Sequence, residues 1–162
     1  SLAQVRRRID TDPALNGEWI CRTGFWPDHA TPTAVVLKLL KPHWTDEAGD
    51  AVAISTGIFF SVWVDDSALA RRGMHYNVHA LKLRDLSKYN LQSRKFAAEF
   101  REHFEPAREQ WPSVSTSYGP QTLFQGFVAC AEPEVESTAY DLARKFMPLG
   151  GIIDGLLARA TK

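Results

Sequence analysis

The chain has 162 residues, and its 19 basic side chains balance its 19 acidic ones. This neutral total gives no global field for nucleic acid or an anionic membrane, and no apolar run approaches the roughly 20 residues of a membrane span. A hydrophobic fraction of 44% and a charged fraction of 23% are ordinary for a globular protein, so the sequence predicts a single domain over residues 1–162 with its own core.

The first part of the chain predicts one helix followed by a group of strands. Leu2, Val5 and Ile9 have helical spacing, which favours an N-terminal helix within 1–12. The elements that follow are a strand at 18–23, a loop at 25–32, a strand at 34–44, a polar turn at 46–50 and a strand at 52–64. The short connection between the last two strands predicts an antiparallel hairpin.

The end of the strand at 52–64 brings aromatic and acidic side chains together. Phe59 and Trp63 have the same parity, so they share one face of the strand. Asp65 and Asp66 follow directly, and they predict a turn or one short helix that one of them caps.

The next predicted strand, at 73–84, carries the densest group of polar side chains in the chain. His75, Asn77 and His79 have one parity and therefore share a face. Further along, the odd positions become apolar, which a single alternating strand does not explain. A bulge near Ala80 would rotate the parity and account for this switch.

The last third of the chain alternates helices and strands. Phe96, Phe100 and Phe104 recur every four residues, which predicts a helix over 93–108 with Ser93 as its N-cap. Strands follow at 114–117 and 121–131, then a helix from 132, a break at Pro148 and the two glycines after it, and a short last helix within 149–162.

Grouped strands and separated helices predict an α+β fold. We expect a mostly antiparallel sheet of about five or six strands, with the two main helices packed on one face. The opposite face would hold Phe59, Trp63 and the polar residues of the His75 strand. An aromatic face of that kind is typical of a ligand pocket or a subunit interface.

The two cysteines, Cys21 and Cys130, both fall in predicted strands among apolar neighbours. This pattern indicates reduced core cysteines in a cytoplasmic protein. A disulfide between them would require their strands to be neighbours. The N-terminal residues lack the apolar centre of a signal peptide, and the glycine-rich loops that bind nucleotide phosphates are absent from the sequence, so no cofactor is predicted.

The two histidines of the 73–84 strand suggest a metal site, but strand geometry argues against it. Side chains four residues apart lie roughly 13 Å apart on a strand, whereas each zinc-binding nitrogen must be about 2.1 Å from the metal. His75 and His79 could therefore share an ion only with a helical or bulged backbone and a further ligand such as Asp65 or Asp66. No metal site is predicted.

The leading hypothesis is a protein without catalysis that binds a small ligand, or a second copy of itself as a homodimer, through the aromatic and polar sheet face. The side chains expected to bind are His75, Asn77, His79, Trp63, Gln125 and Arg84. An alternative is an enzyme in which His75 or His79 is the general acid or base beside Asp65 or Asp66, with or without a metal.

A third hypothesis rests on the segment 71–95, which contains seven basic residues, Arg84 among them, against one acidic residue. Basic side chains with interleaved tyrosines can follow a single nucleic-acid strand, and they can equally bind a phosphorylated or carboxylate ligand. The neutral charge of the whole chain makes nucleic acid an unfavoured partner.

Overall fold

A computed structural model describes residues 1–13, 18–27, 32–47 and 54–162, with residues 26, 27, 32 and 33 described by their backbone alone. The middle of the predicted loop at 25–32, most of the polar turn at 46–50 and the first residues of the strand at 52–64 lie outside the described residues.

Five strands form one antiparallel sheet in which the spatial order follows the sequence order. The strands are β1 (Ile20–Pro27), β2 (Pro32–Leu40), β3 (Gly57–Asp65), β4 (Gly73–Leu81) and β5 (Thr122–Ala129). Each strand therefore pairs with its predecessor, as in a meander. The predicted α+β fold with an antiparallel sheet is confirmed.

In the part of the chain that the structure describes, four α-helices accompany the sheet: α1 (Leu2–Asp10), α2 (Asp66–Ala70), α3 (Ser93–Phe104) and α4 (Val135–Arg159). The predicted stripes of α1 and α3 are buried in the core. Asp65 caps α2 by accepting a hydrogen bond from the backbone N–H of Ala68 at 2.7 Å. Ser93 is the first residue of α3 and not its N-cap, which is Gln92 without a side-chain cap.

The predicted break at Pro148 and the separate last helix within 149–162 are wrong, because α4 runs through Pro148 without interruption. Pro148 is exposed, so the carbonyl that loses its N–H partner, that of Arg144, lies on the exposed side of the helix. Gly150 serves packing and not termination, since a Cβ there would lie 2.7 Å from the indole of Trp19.

Strand β4 does not contain the bulge that the sequence predicted near Ala80, since its register with β3 is regular from His75 to Leu81. Its register with β5 shifts between Val78 and His79, but the extra residue at that point is Leu123 of β5. The strand then ends at Leu81, and Lys82 adopts a left-handed backbone conformation with φ of 49°. The apolar residues after Leu81 therefore do not continue the strand but enter a short 3-10 turn at Leu83–Asp85.

The hydrophobic core lies between one face of the sheet and the helices α1, α3 and α4. The Phe60 ring of β3 stacks on the Phe146 ring of α4 with centroids 4.5 Å apart. The Phe124 ring of β5 stacks on Phe104 of α3 at 4.6 Å. Residues of the opposite parity in each strand point away from these helices, and that second surface is called the distal face below.

Arg101 holds the chain that leads into β5. Its guanidinium donates to the carbonyl oxygens of Tyr118, Gly119, Thr122 and Leu123 at 2.9–3.1 Å. These bonds connect α3 to the turn before β5 and to the first residues of that strand.

We expect Arg101→Met to lower the free energy of unfolding by about 1–3 kcal/mol, because the methionine preserves the stem and removes every donor. Urea unfolding followed by circular dichroism measures the change. Arg94→Met, on an exposed position of the same helix, is the control and should change stability by less than about 0.5 kcal/mol. Equal stability of the two variants would contradict this role.

Both cysteines are free and buried. Cys21 lies on β1 and Cys130 follows β5, so they belong to opposite edges of the sheet and cannot form a disulfide with each other. Burial raises the pKa of Cys21 to about 12, which makes this thiol a poor nucleophile. Among the described residues, no helix combines the length and the apolar character needed to cross a bilayer.

Candidate functional site

A row of polar side chains crosses the distal face at one level of the sheet. The strand register places Arg22 opposite Lys38, Lys38 opposite Ser61, Ser61 opposite Asn77 and Asn77 opposite Gln125. Each strand therefore contributes one polar residue, and these five residues are called the polar row. A sheet face whose only role was to pack against apolar residues would need no polar side chains at these five positions.

The centre of the polar row is buried. Lys38 and Asn77 are each 2% exposed and Ser61 is fully covered, whereas Arg22 and Gln125 at the two ends are half-buried. Burial of polar groups is costly unless they are hydrogen-bonded, and among the described residues every buried side-chain nitrogen and oxygen has a partner.

Asn77 is the hub of the hydrogen-bond network in this row. Its Oδ1 accepts from the hydroxyl of Ser61 at 2.6 Å, and its Nδ2 is 2.9 Å from Nε2 of His79. The same Nδ2 donates to Oε1 of Gln125 at 3.4 Å. Three strands, β3, β4 and β5, are thus connected through one side-chain amide.

His79 is held in its neutral form. Burial lowers its pKa first, and the positive charge of Lys38 lowers it further, whereas the bond to the Gln121 carbonyl opposes the shift. The Nδ1 atom lies 3.3 Å from the backbone oxygen of Gln121 and 3.4 Å from the hydroxyl of Thr122. The neutral ring therefore carries its proton on Nδ1.

Aromatic rings border the polar row on both sides. On one side, the His75 ring stacks on Trp63 with centroids 5.1 Å apart and meets the edge of Phe127 at the same distance. The guanidinium of Arg71 covers the other part of Phe127 at 4.0 Å. On the opposite side of the row, Phe59 contacts His79 at 5.4 Å.

Asp65 and Asp66, the two aspartates at the end of β3, have different surroundings. Oδ1 of Asp65 lies 3.9 Å from Nε2 of His75, a distance that one bridging water can span, while Asp66 is exposed in the first turn of α2. Burial lowers the pKa of His75 first, the carboxylate of Asp65 raises it and Arg71 lowers it again, with a net decrease.

The two histidines occupy the positions expected of an extended strand. His75 contacts Trp63 and Phe127, whereas His79 contacts Asn77 and Phe59, so the imidazoles belong to different sides of the polar row. Within the described residues, no group of three or more His, Cys, Asp or Glu side chains has the arrangement of a metal site.

The six side chains predicted to bind a ligand divide into two groups. Five of them lie together on the distal face: Trp63, His75, Asn77, His79 and Gln125. Arg84 does not join them, since β4 ends at Leu81 and Arg84 is exposed in the 3-10 turn that follows. The basic residues of 71–95 are likewise distributed over the end of α2, this turn and α3.

Arg22, Lys38 and Ser61 are the members of the polar row that the sequence reasoning missed, and Lys38 is the one that the sequence could have indicated. The apolar residues next to Lys38 in β2 are fully buried on both faces of the strand. The signal was present, because a single lysine within Val-Val-Leu-Lys-Leu-Leu is a charge in an otherwise apolar strand. Its ammonium lies 4.3 Å from the ring centroid of Phe59.

A second polar cluster lies on the other side of the molecule's core, around Asp154 of α4. Its carboxylate accepts from Lys41 at 2.5 Å, from the indole N–H of Trp44 at 2.8 Å and lies 2.6 Å from Nε2 of His43. Burial alone would raise the pKa of Asp154, but these hydrogen bonds outweigh burial and lower it. The sequence does not predict this cluster, since Asp154 is more than 100 residues away from Lys41 and His43.

These neighbours make Asp154 a structural anchor that joins α4 to the segment after β2. All three donors converge on one carboxylate, and the buried indole of Trp44 has its hydrogen bond satisfied there.

Comparison of the chain with protein-family models, with curated proteins and with solved structures finds no match in any of the three. Its function therefore has to be argued from the distal face and its chemistry.

Proposed function

We propose that the protein binds a small ligand at the β4–β5 end of the polar row. The observation that carries this proposal is the polar row itself, five polar side chains in register across five strands, two of its buried members being Lys38 and Asn77. Buried polar groups cost stability compared with an apolar face of the same shape, so a function is a reason to retain them.

Both ends of the polar row are half-buried, and aromatic rings border the β4–β5 end, which favours this end for a ligand. Gln125, His75, His79 and Phe127 are half-buried, so parts of their side chains remain accessible. Rings supply apolar walls and the amide of Gln125 supplies a polar contact, a combination that is typical of small-molecule sites. Arg84 is too far along the chain from this end of β4 to be included in the proposed site.

A fragment screen by two-dimensional NMR tests the proposal. We expect ring-containing fragments to shift the side-chain amide signals of Gln125 and Asn77 and the indole signal of Trp63 together. Gln125→Leu should weaken such fragments about tenfold, the effect of one lost hydrogen bond of about 1.4 kcal/mol.

Gln121→Leu is the matched control, since the Gln121 side chain is exposed and only its backbone oxygen enters the network. Hits that shift other surfaces and ignore both substitutions would contradict ligand binding here. The alternative hypothesis is self-association through the distal face, and sedimentation velocity of the same sample tests it. A fragment that binds the distal face would compete with the second copy and dissociate the homodimer.

Acid–base catalysis by His75 is a second candidate, and the approach of Asp65 to its Nε2 favours it. The lowered pKa leaves the imidazole neutral at physiological pH, as a general base requires. His79 is less suited to this role, because both of its ring nitrogens already have partners within the protein.

A further inference from the structure

The direction of every hydrogen bond in the Asn77 network is determined by one atom that cannot rotate. The backbone oxygen of Gln121 is only an acceptor, and it also accepts from the N–H of Ala80 at 2.9 Å. The Nδ1 atom of His79, 3.3 Å away, must therefore be the donor. In the neutral ring this leaves Nε2 as an acceptor.

The proton on Nδ1 of His79 determines the orientation of the Asn77 amide, and that amide determines the orientation of Gln125. Since Nε2 of His79 accepts, the atom of Asn77 that lies 2.9 Å away must be its Nδ2 group. The same Nδ2 group faces Gln125 at 3.4 Å, so the atom of Gln125 directed at Asn77 must be the acceptor Oε1. The Nε2 group of Gln125 is then directed away from Asn77 and offers N–H donors at the accessible end of the row.

We infer, on the basis of the ligand binding proposed above, that the ligand is a planar ring compound that presents a carbonyl or carboxylate oxygen to the Nε2 group of Gln125. His75 and Phe127 form the next pair along β4 and β5 on the same face, and the rings of this pair supply the apolar contact for the ring of the ligand. An ammonium or amide N–H of a ligand would meet a donor there, and two facing donors repel.

The charges around the site agree with an acceptor, and a carboxylate in particular. Arg71 lies over the Phe127 ring beside the site, and Lys38 is close enough to His79 for its positive charge to lower the pKa of that histidine. Asp65 is the acidic side chain at the border, and the positive charge of Arg71 opposes its effect on His75.

The same network predicts that a proton on His79 reverses the preference. A protonated ring would donate from both nitrogens, so Asn77 would have to turn its Oδ1 toward the ring. Gln125 would then turn its Nε2 group toward Asn77 and its Oε1 toward the ligand, while the hydroxyl of Ser61 can accept as well as donate. The ring faces Lys38 of β2, Phe59 of β3 and the Gln121–Thr122 backbone and hydroxyl of β5.

Phenylacetate and phenethylamine form the matched pair of probes, because they share a ring and differ in the polar group. At about pH 8, where the histidine is neutral, we expect phenylacetate to shift the Gln125 amide signal with at least about tenfold higher affinity. In Gln125→Glu, whose outer oxygen is an acceptor, the order should reverse. Gln121→Glu adds the same charge on an exposed neighbour and should leave the order unchanged.

The outcomes separate this inference from the proposal on which it rests. Two results would overturn the inference that the ligand presents an acceptor oxygen, while leaving ligand binding intact. One is a preference for phenethylamine in the unmodified protein, and the other is the same reversal in both Gln125→Glu and Gln121→Glu. Failure of both probes and of every ring fragment to shift the distal face would overturn both. The predicted reversal is supported if the preference for phenylacetate is lost as the pH falls and the amide signals of Asn77 and Gln125 move together. It is overturned if the preference stays constant while the His79 ring titrates.

Discussion

Replacing Phe146 with alanine is expected to lower the free energy of unfolding by about 3–5 kcal/mol, the usual range for a buried aromatic ring. The Phe146 ring is fully buried and stacks on Phe60 of β3 at 4.5 Å. It also meets the edges of Trp44 at 6.1 Å and of Trp19 at 5.9 Å. One side chain of α4 therefore packs against three different segments, and its loss leaves a cavity that none of them can fill alone.

Thermal and urea unfolding of purified protein measure this change. Met147→Ala is the control, because the neighbouring methionine is only partly buried at the border of the core, and we expect about 1 kcal/mol from it. If Phe146→Ala cannot be purified, Phe146→Leu retains most of the volume and should cost about 1–2 kcal/mol. A Phe146 variant no less stable than the Met147 variant would show that this ring is not central to the core.

The second large effect is expected from Asp154→Ala, with a loss of about 2–4 kcal/mol. The substitution removes the acceptor of three side chains and leaves the indole N–H of Trp44, whose side chain is fully buried, without a partner. Asp154→Asn keeps an acceptor for Trp44 but removes the charge that Lys41 neutralises, so we expect an intermediate loss. Asp141→Ala, exposed on the same helix, is the control and should be neutral.

The pH dependence gives this prediction a specific sign. The pKa of Asp154 is lower in the folded protein than in the unfolded chain, so its stabilising effect is complete above the unfolded value of about 3.9. It disappears as the pH falls through the folded pKa. The stability difference between the unmodified protein and Asp154→Asn should therefore be constant near neutral pH and shrink in acid. A difference that grows on acidification would contradict the assignment.

The local patterns were enough to predict the fold class, because each strand and helix follows a simple period. Phe96, Phe100 and Phe104 gave α3 by their spacing, and the β3 alternation placed Phe59 and Trp63 on one face. The prediction of a helix end at Pro148 was wrong, since a proline can lie within a helix when the carbonyl that loses its hydrogen bond faces solvent. Whether a position is exposed is a tertiary property, and the sequence of α4 alone does not state it.

The candidate site was predictable only in part. His75, Asn77 and His79 could be assigned to one face because they belong to one strand. Gln125 was also predicted, whereas Arg22, Lys38 and Ser61 join the row through strand pairing, and the register of the strands is set by side-chain packing over the whole sheet. The cluster around Asp154 could not be predicted, because its partners Lys41 and His43 are more than 100 residues away in sequence.

The uninterrupted course of α4 has a consequence for how the protein is made. This last helix contacts α1, α3 and β3, so the first element of the chain completes its packing only against the last one. A polypeptide still attached to the ribosome before residue 159 has emerged must leave Phe60 and the apolar side of α1 uncovered. Synthesis of this chain should therefore leave one face of its sheet exposed to chaperones until the α4 region has left the ribosome.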